Sequence, residues 1–155
     1  MKIKFDIRSG IIYNTIMKPK IIIDTNVIIA ALKSNRGASN KLLQLFGTDK
    51  FIHYVSVALV IEYEAVMKRL LPELGQRKLD DLLDYICAES QPTKIYYLWR
   101  PTLKDPKDDM VLELAVTSGA DFIVTYNIKD FELAKTFNVE VINPRDLLIL
   151  MGELS

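Results

Sequence analysis

The stretch IIIDTNVIIA, residues 21–30, decides how the chain is read. Ile21, Ile22 and Ile23 form a continuous β-branched run, the pattern of a strand buried on both faces. Three polar residues follow, Asp24, Thr25 and Asn26, and then a second apolar run opens at Val27. A carboxylate beside buried apolar surface costs on the order of a few kcal/mol unless something compensates it. The stretch therefore poses a question: what compensates Asp24? An ordinary answer is capping. Asp is a favoured N-cap, worth about 1 kcal/mol, and a helix beginning at Asn26 would use one.

Outward from this stretch, strand and helix patterns alternate. Upstream, residues 2–8 alternate polar and apolar, as an edge strand would, or belong to an extension (1–17) before a single domain over 18–152. Downstream, GASNKLLQLFG predicts a helix capped by Ser39 and ended by Gly47. KFIHYV (50–55) reads as a strand. Ser56 then caps a helix carrying Leu59, Val60, Tyr63, Val66, Met67 and Leu70, closed by Pro72. Residues 74–90 read as an amphipathic helix and TKIYYL (93–98) as a third strand. The polar loop RPTLKDPKDD leads into a helix ending near Gly119. DFIVTYN (121–127) is the fourth predicted strand, IKDFELAKTF a short helical piece, VEVINP a last strand, and Pro144 opens a final helix. This order predicts an α/β protein, a three-layer α/β/α sandwich on a mostly parallel central sheet.

The totals narrow the function classes. At 155 residues, half of them hydrophobic, the chain suits one globular core. Lys plus Arg and Asp plus Glu are 20 each, so a generally basic nucleic-acid binder is disfavoured and only a local patch remains open. One cysteine, Cys87, excludes an intrachain disulfide and points to a reducing, cytoplasmic setting. Its context, LLDYICA, suggests a packed core thiol. The lone His53 falls in a predicted strand, and no His or Cys cluster suggests zinc. No apolar run reaches the ~18 residues a bilayer crossing needs, and the N-terminal stretch lacks a secretory h-region.

In open parallel sheets the ligand crevice lies beyond the carboxyl ends of the strands. Asp24 ends the first strand of the sheet and Asn127 lies past the fourth. Asp108 and Asp109 stand at the start of the preceding helix, and Glu62 shares the face of Leu59 and Val66. Asp108 keeps the spacing of Val111, Leu112 and Ala115. Asp109, with Glu113 four residues on, reads as solvated, although both remain candidates. No Lys or Arg inside these motifs is expected to neutralise them, so the partner expected for Asp24 is a divalent cation, Mg²⁺ or Mn²⁺. Each acid also has an ordinary reading. Glu62 can be a boundary residue. Asp108 and Asp109 can be a helix start. Asn127 and Asp130 can be turn residues. Tyr96, Tyr97 and Trp99 read as core or interface aromatics before they read as a base-stacking platform.

Taken together, IIIDTNVIIAAL, VSVALVIEYEAVM, DPKDDMVLELAVTSGADFIVTYNIKDF and VEVINPRDLL resemble the successive motifs of a PIN domain, over about residues 20–148. The resemblance is to the prokaryotic group described as toxins of toxin–antitoxin pairs. It implies a metal-dependent ribonuclease with three or four clustered acids: Asp24, Glu62, Asp108 or Asp109, and the position of Asn127, where many relatives carry Asp. Asp130 is the nearest acid that could stand in. Thr25, Asn26 and Thr125 match the small polar residues lining such sites. An RNA substrate, an antitoxin and a homodimer follow as expectations, with Lys33, Arg36, Lys41, Lys68 and Arg69 as candidate phosphate contacts. The competing readings are a non-catalytic PIN-like RNA- or protein-binding domain and, by fold analogy alone, a nucleotide-binding protein. The latter is disfavoured because DTNV stands where a glycine-rich loop would.

Overall fold

The structure, a computed structural model, describes residues 18–95 and 102–155 and the backbone of 5–6 and 11–12. Strands β1 (Phe5–Asp6) and β2 (Ile11–Ile12) pair antiparallel in a sheet of their own. The remainder of the strand predicted over 2–8 lies outside the described residues. Then come β3 (Lys20–Ile23), α1 (Thr25–Lys33), α2 (Ala38–Gln44), β4 (Ile52–Val55), α3 (Val57–Leu70), α4 (Gln76–Ala88) and β5 (Ser90–Pro92). The chain closes with α5 (Pro106–Ser118), β6 (Phe122–Val124), a 3-10 run over Ile128–Phe137, β7 (Glu140–Ile142) and α6 (Pro144–Leu150).

The main sheet has five strands in the order β5-β4-β3-β6-β7, every pair parallel. The predicted α/β sandwich is thus present, and its sheet is wholly parallel. The isoleucine run takes the middle strand, where both faces are covered. Ile21, Ile22 and Ile23 are at most 1% exposed. Helix α5 lies over β4, β3 and β6, while α1, α3 and α4 pack on one another in sequence. The sheet grows from β3 to β4 to β5, then returns to β6 on the other side of β3. Right-handed crossovers send connections that run in opposite directions to opposite faces. A crevice therefore opens between the carboxyl ends of β3 and β6.

Several elements differ from expectation. The third strand of the main sheet is Ser90–Pro92, directly after α4; of the strand expected over 93–98, residues 93–95 follow it outside any strand and residues 96–98 lie outside the described residues. Pro92 fits only because β5 is an edge strand, where one flank needs no N–H. Thr93 donates the last ladder bond, to the Val55 carbonyl at 2.8 Å, and Tyr96, Tyr97 and Trp99 lie outside the described residues. Gly37, not Ser39, occupies the cap of α2. Ser39 is buried inside that helix and bonds to the Tyr126 hydroxyl. Helix α5 starts a turn before Met110, at Pro106, capped by the Asp105 side chain. Gly119 ends it with φ 69°, a left-handed position that suits a residue without Cβ. Glu113, expected on a solvated face, is buried, because α5 is covered on all sides from Val111 to Ala115. Cys87 is only partly buried, not a core thiol.

His53 is a titratable residue of the core, 1% exposed. Its Nδ1 meets Ser90 Oγ at 2.7 Å, and its Nε2 faces the Tyr63 hydroxyl at 3.3 Å. Ser90 donates to the Ile86 carbonyl and Tyr63 to the Ile23 carbonyl. Since the Ser90 proton is committed to Ile86, the His53–Ser90 bond needs the proton on Nδ1. The network ties α4, β5, β4 and α3 to the residue preceding Asp24. Burial holds the imidazole down to about 3, so it is neutral. No helix among the described residues is long and apolar enough to cross a membrane.

Candidate active site at the carboxyl edge of the sheet

Sheet register brings the first polar residues together. Ile23 pairs with Val124, so Asp24 and Thr125 are the next residues on adjacent strands. Thr125 Oγ1 donates to Asp24 Oδ2 at 2.8 Å. The Thr25 N–H donates to Asp24 Oδ1 at 2.8 Å, and Asn26 Nδ2 approaches Oδ2 at 3.3 Å. The ordinary reading of Asp24 is thus correct as far as it goes: it caps α1, which begins at Thr25. The expectation that no side chain would serve Asp24 is corrected. Its donors, however, are all neutral. Burial raises its carboxyl above the usual range, the bonds from Thr125 and Thr25 oppose that, and the charges of Glu62 and Asp130 add to it.

Thr125 is fully buried, and its hydroxyl uses its whole capacity. It donates to Asp24 and accepts from Asn26 Nδ2 (3.2 Å) and the Asn127 N–H (3.0 Å). Asn26 Oδ1 accepts from the Tyr126 N–H at 3.3 Å. Residues 24–26 and 125–127 therefore form one hydrogen-bonded clamp across two strands.

Asp108, from the first turn of α5, joins this edge electrostatically. Its carboxyl is pushed up to about 6 by burial first, then by the charges of Asp24, Asp105, Asp130 and Asp109. Asp109 is used differently. Its oxygens accept from the Thr102 N–H (3.1 and 3.2 Å) and the Leu103 N–H (2.8 Å), which pins the loop before α5. Asn127 is exposed and its side chain does not cap the 3-10 run that follows it. Asp130 is exposed too, yet its charge reaches both Asp24 and Asp108.

Glu62 departs from expectation. Its side chain is 20% exposed, and Lys107 Nζ lies 3.3 Å from its Oε1. The expectation that the acidic motifs hold no basic residue is therefore wrong: Lys107 sits inside DPKDD itself. The spacing Asp105-Pro-Lys-Asp108 contained that signal, because the first turn of α5 faces α3. Among the described residues, no three Asp, Glu, His or Cys side chains stand close enough together to hold one ion. The donor chemistry nevertheless fits a hard cation. Asp24, Asp108 and Asp130 offer carboxylate oxygens, the charges of Asp24 and Asp130 bear on Asp108 and that of Asp130 on Asp24, and no Lys or Arg pairs with them among the described residues.

A groove of about 390 Å³ runs from this edge between α1 and α3. Thr25, Asn26 and Glu62 line one end, and Lys33 and Arg69 the other. The remaining proposed phosphate contacts stand elsewhere. Arg36 is exposed in the loop between α1 and α2. Lys41 donates to the Glu153 carbonyl and holds the C-terminal tail. Lys68 pairs with Glu64 at 2.6 Å, a bond between neighbouring turns of α3.

A parallel α/β sheet with acidic side chains gathered at the carboxyl edge of β3 and β6 defines a recognisable class. The family model described as PIN domain matches residues 20–129, and the chain belongs to the PIN-domain family. Among solved structures it resembles VapBC2 from Rickettsia felis bound to a DNA fragment from their promoter. The TM-score is 0.56 at 15% identity, over 80% of this chain and 98% of that one. No curated protein sequence matches the chain.

Proposed function

We propose that the protein is a metal-dependent ribonuclease that hydrolyses RNA phosphodiester bonds, acting as the toxin of a toxin–antitoxin pair. The observation that supports this most is the negative field at this edge: the charge of Asp130 raises both Asp24 and Asp108, and that of Asp24 raises Asp108, with the three acids coming from separate elements. Asp24, Asp108 and Glu62 would hold Mg²⁺ or Mn²⁺, with Asp130 supplying charge near the place of Asn127. Such an ion supplies Lewis-acid stabilisation of phosphate and an activated water. The chain's own residues do the rest. The 24–26 to 125–127 clamp fixes Asp24 as a rigid oxygen donor. Asn127 orients water or a phosphate oxygen. Lys33 and Arg69 hold flanking phosphates along the groove, which makes binding salt-dependent.

An antitoxin partner belongs to the same proposal, and the likeness to a VapBC2 complex is in keeping with it. So does a homodimer through α3 and α4, where Val57, Ile61 and Tyr85 are exposed. Cleavage of labelled RNA with Mn²⁺, against Asp24→Asn, tests the core of the reading. Loss of cleavage in the variant supports it. Equal cleavage by both proteins removes it. The Lys107–Glu62 pair favours a second reading, a non-catalytic RNA- or protein-binding domain. Mn²⁺ binding without any cleavage would select that one.

A further inference from the structure

Lys107 is the unexpected residue of the site. It occupies the second position of α5, between Pro106 and Asp108, where the helix dipole favours acids and disfavours a cation. Asp105, Asp108 and Asp109 obey that rule and Lys107 breaks it. What offsets the cost is the partner across the gap to α3, Glu62, whose carboxylate has no other hydrogen-bond or ion-pair partner among the described residues. The ammonium is 58% exposed, so it can leave without opening the core.

We propose that Lys107 is the site's internal counter-ion: it holds the Glu62 carboxylate when no divalent cation is bound and releases it when one binds. Lys107 is thus a positioning residue acting through Glu62. The inference rests on the metal-dependent reading above. Through this pair, one of the acids that the PIN resemblance implies is engaged by an ammonium on the neighbouring helix. The pair also sets a cation threshold. A divalent ion must displace a positive charge from the rim as well as shed its own water, so the site fills only at higher ion concentrations than the acids alone would require.

The test follows the Lys107 ¹³Cε resonance in the full chain, assigned by its loss in Lys107→Met. Glu62→Gln, without metal, should shift that resonance. Mg²⁺ added to the unaltered protein should shift it in the same direction. By calorimetry, Lys107→Met should bind Mn²⁺ about three- to tenfold more tightly at low salt, the gain shrinking as salt screens the charge. A Lys107 signal that ignores Glu62→Gln shows there is no pair. A signal that ignores Mg²⁺, or a Lys107→Met protein that binds Mn²⁺ no better, overturns the exchange. A protein that cleaves RNA while its Lys107 signal stays fixed loses this inference alone. One whose signal responds to Mg²⁺ but which never cleaves RNA loses the ribonuclease reading and keeps the counter-ion.

Discussion

The crevice between β3 and β6 and the histidine pocket between β4 and β5 both set polar groups into an apolar core, and they resolve the conflict in opposite ways. His53 discards its charge and satisfies its ring with neutral partners, Ser90 and Tyr63. Asp24 keeps its carboxyl among neutral donors and is raised by burial and by the charges of Glu62 and Asp130, and its own charge helps to raise Asp108. A pocket built only for stability follows the first course, because a neutral network carries no Born cost. A site that leaves like charges facing one another forgoes stability and gains affinity for a cation.

Breaking the comparison at its acidic side gives the largest effect. Asp24→Asn should lower RNA cleavage by about a hundredfold or more. It removes a desolvated charge but also one of the two acceptor oxygens that Thr25, Asn26 and Thr125 use, so the melting temperature should change little; cleavage assays and thermal melts on one preparation check both. On the neutral side the expectation reverses. His53→Ala opens a cavity against Phe46 and Tyr63 and removes the donor to the Ser90 oxygen, so it should cost about 2–4 kcal/mol in denaturant unfolding. A loss below about 1 kcal/mol would mean that the pocket refills or hydrates.

Acid titration sharpens the contrast. His53 is held at about 3, below its ordinary 6.5, so its contribution is present above 6.5 and is lost as pH falls towards 3. Asp108 is raised from 3.8 to about 6, so its contribution is full below 3.8 and is lost as pH rises towards 6. The two oppose each other between about pH 4 and 6. Relative to the unaltered protein, Asp108→Asn should become more stable as pH rises through that window. A difference that stays flat with pH would remove the raised carboxyl. The smallest effect separates the neighbouring acids. Asp109→Ala removes the acceptor of two loop amides and should cost about 1 kcal/mol while retaining most cleavage. Asp108→Asn should do the reverse, and equal activity losses in the two variants would break the division of roles.

The alternation of elements was legible because its signals are local. The isoleucine run, the Ser56 cap and Pro144 at the start of α6 each reappear in the structure. The third strand was misplaced because the apolar run TKIYYL outweighed SQP on pattern alone. Only pairing with β4, in the register His53–Ser90, selects SQP. Asp24, Glu62 and Asp108 could be named from motif and helix face, and the preference for Asp108 over Asp109 has a geometric counterpart in the loop amides that Asp109 binds.

By itself, then, the sequence determined the parallel α/β frame and which acids lie near strand ends and helix starts, since periodicity, caps and turn residues act within a few positions. The tertiary structure decided the clamp of Asp24 with Thr125, the neutral state of His53 and the engagement of Glu62 by Lys107. Each of these joins residues many positions apart, through strand register or helix packing, and a side chain's charge state depends on what the fold places beside it.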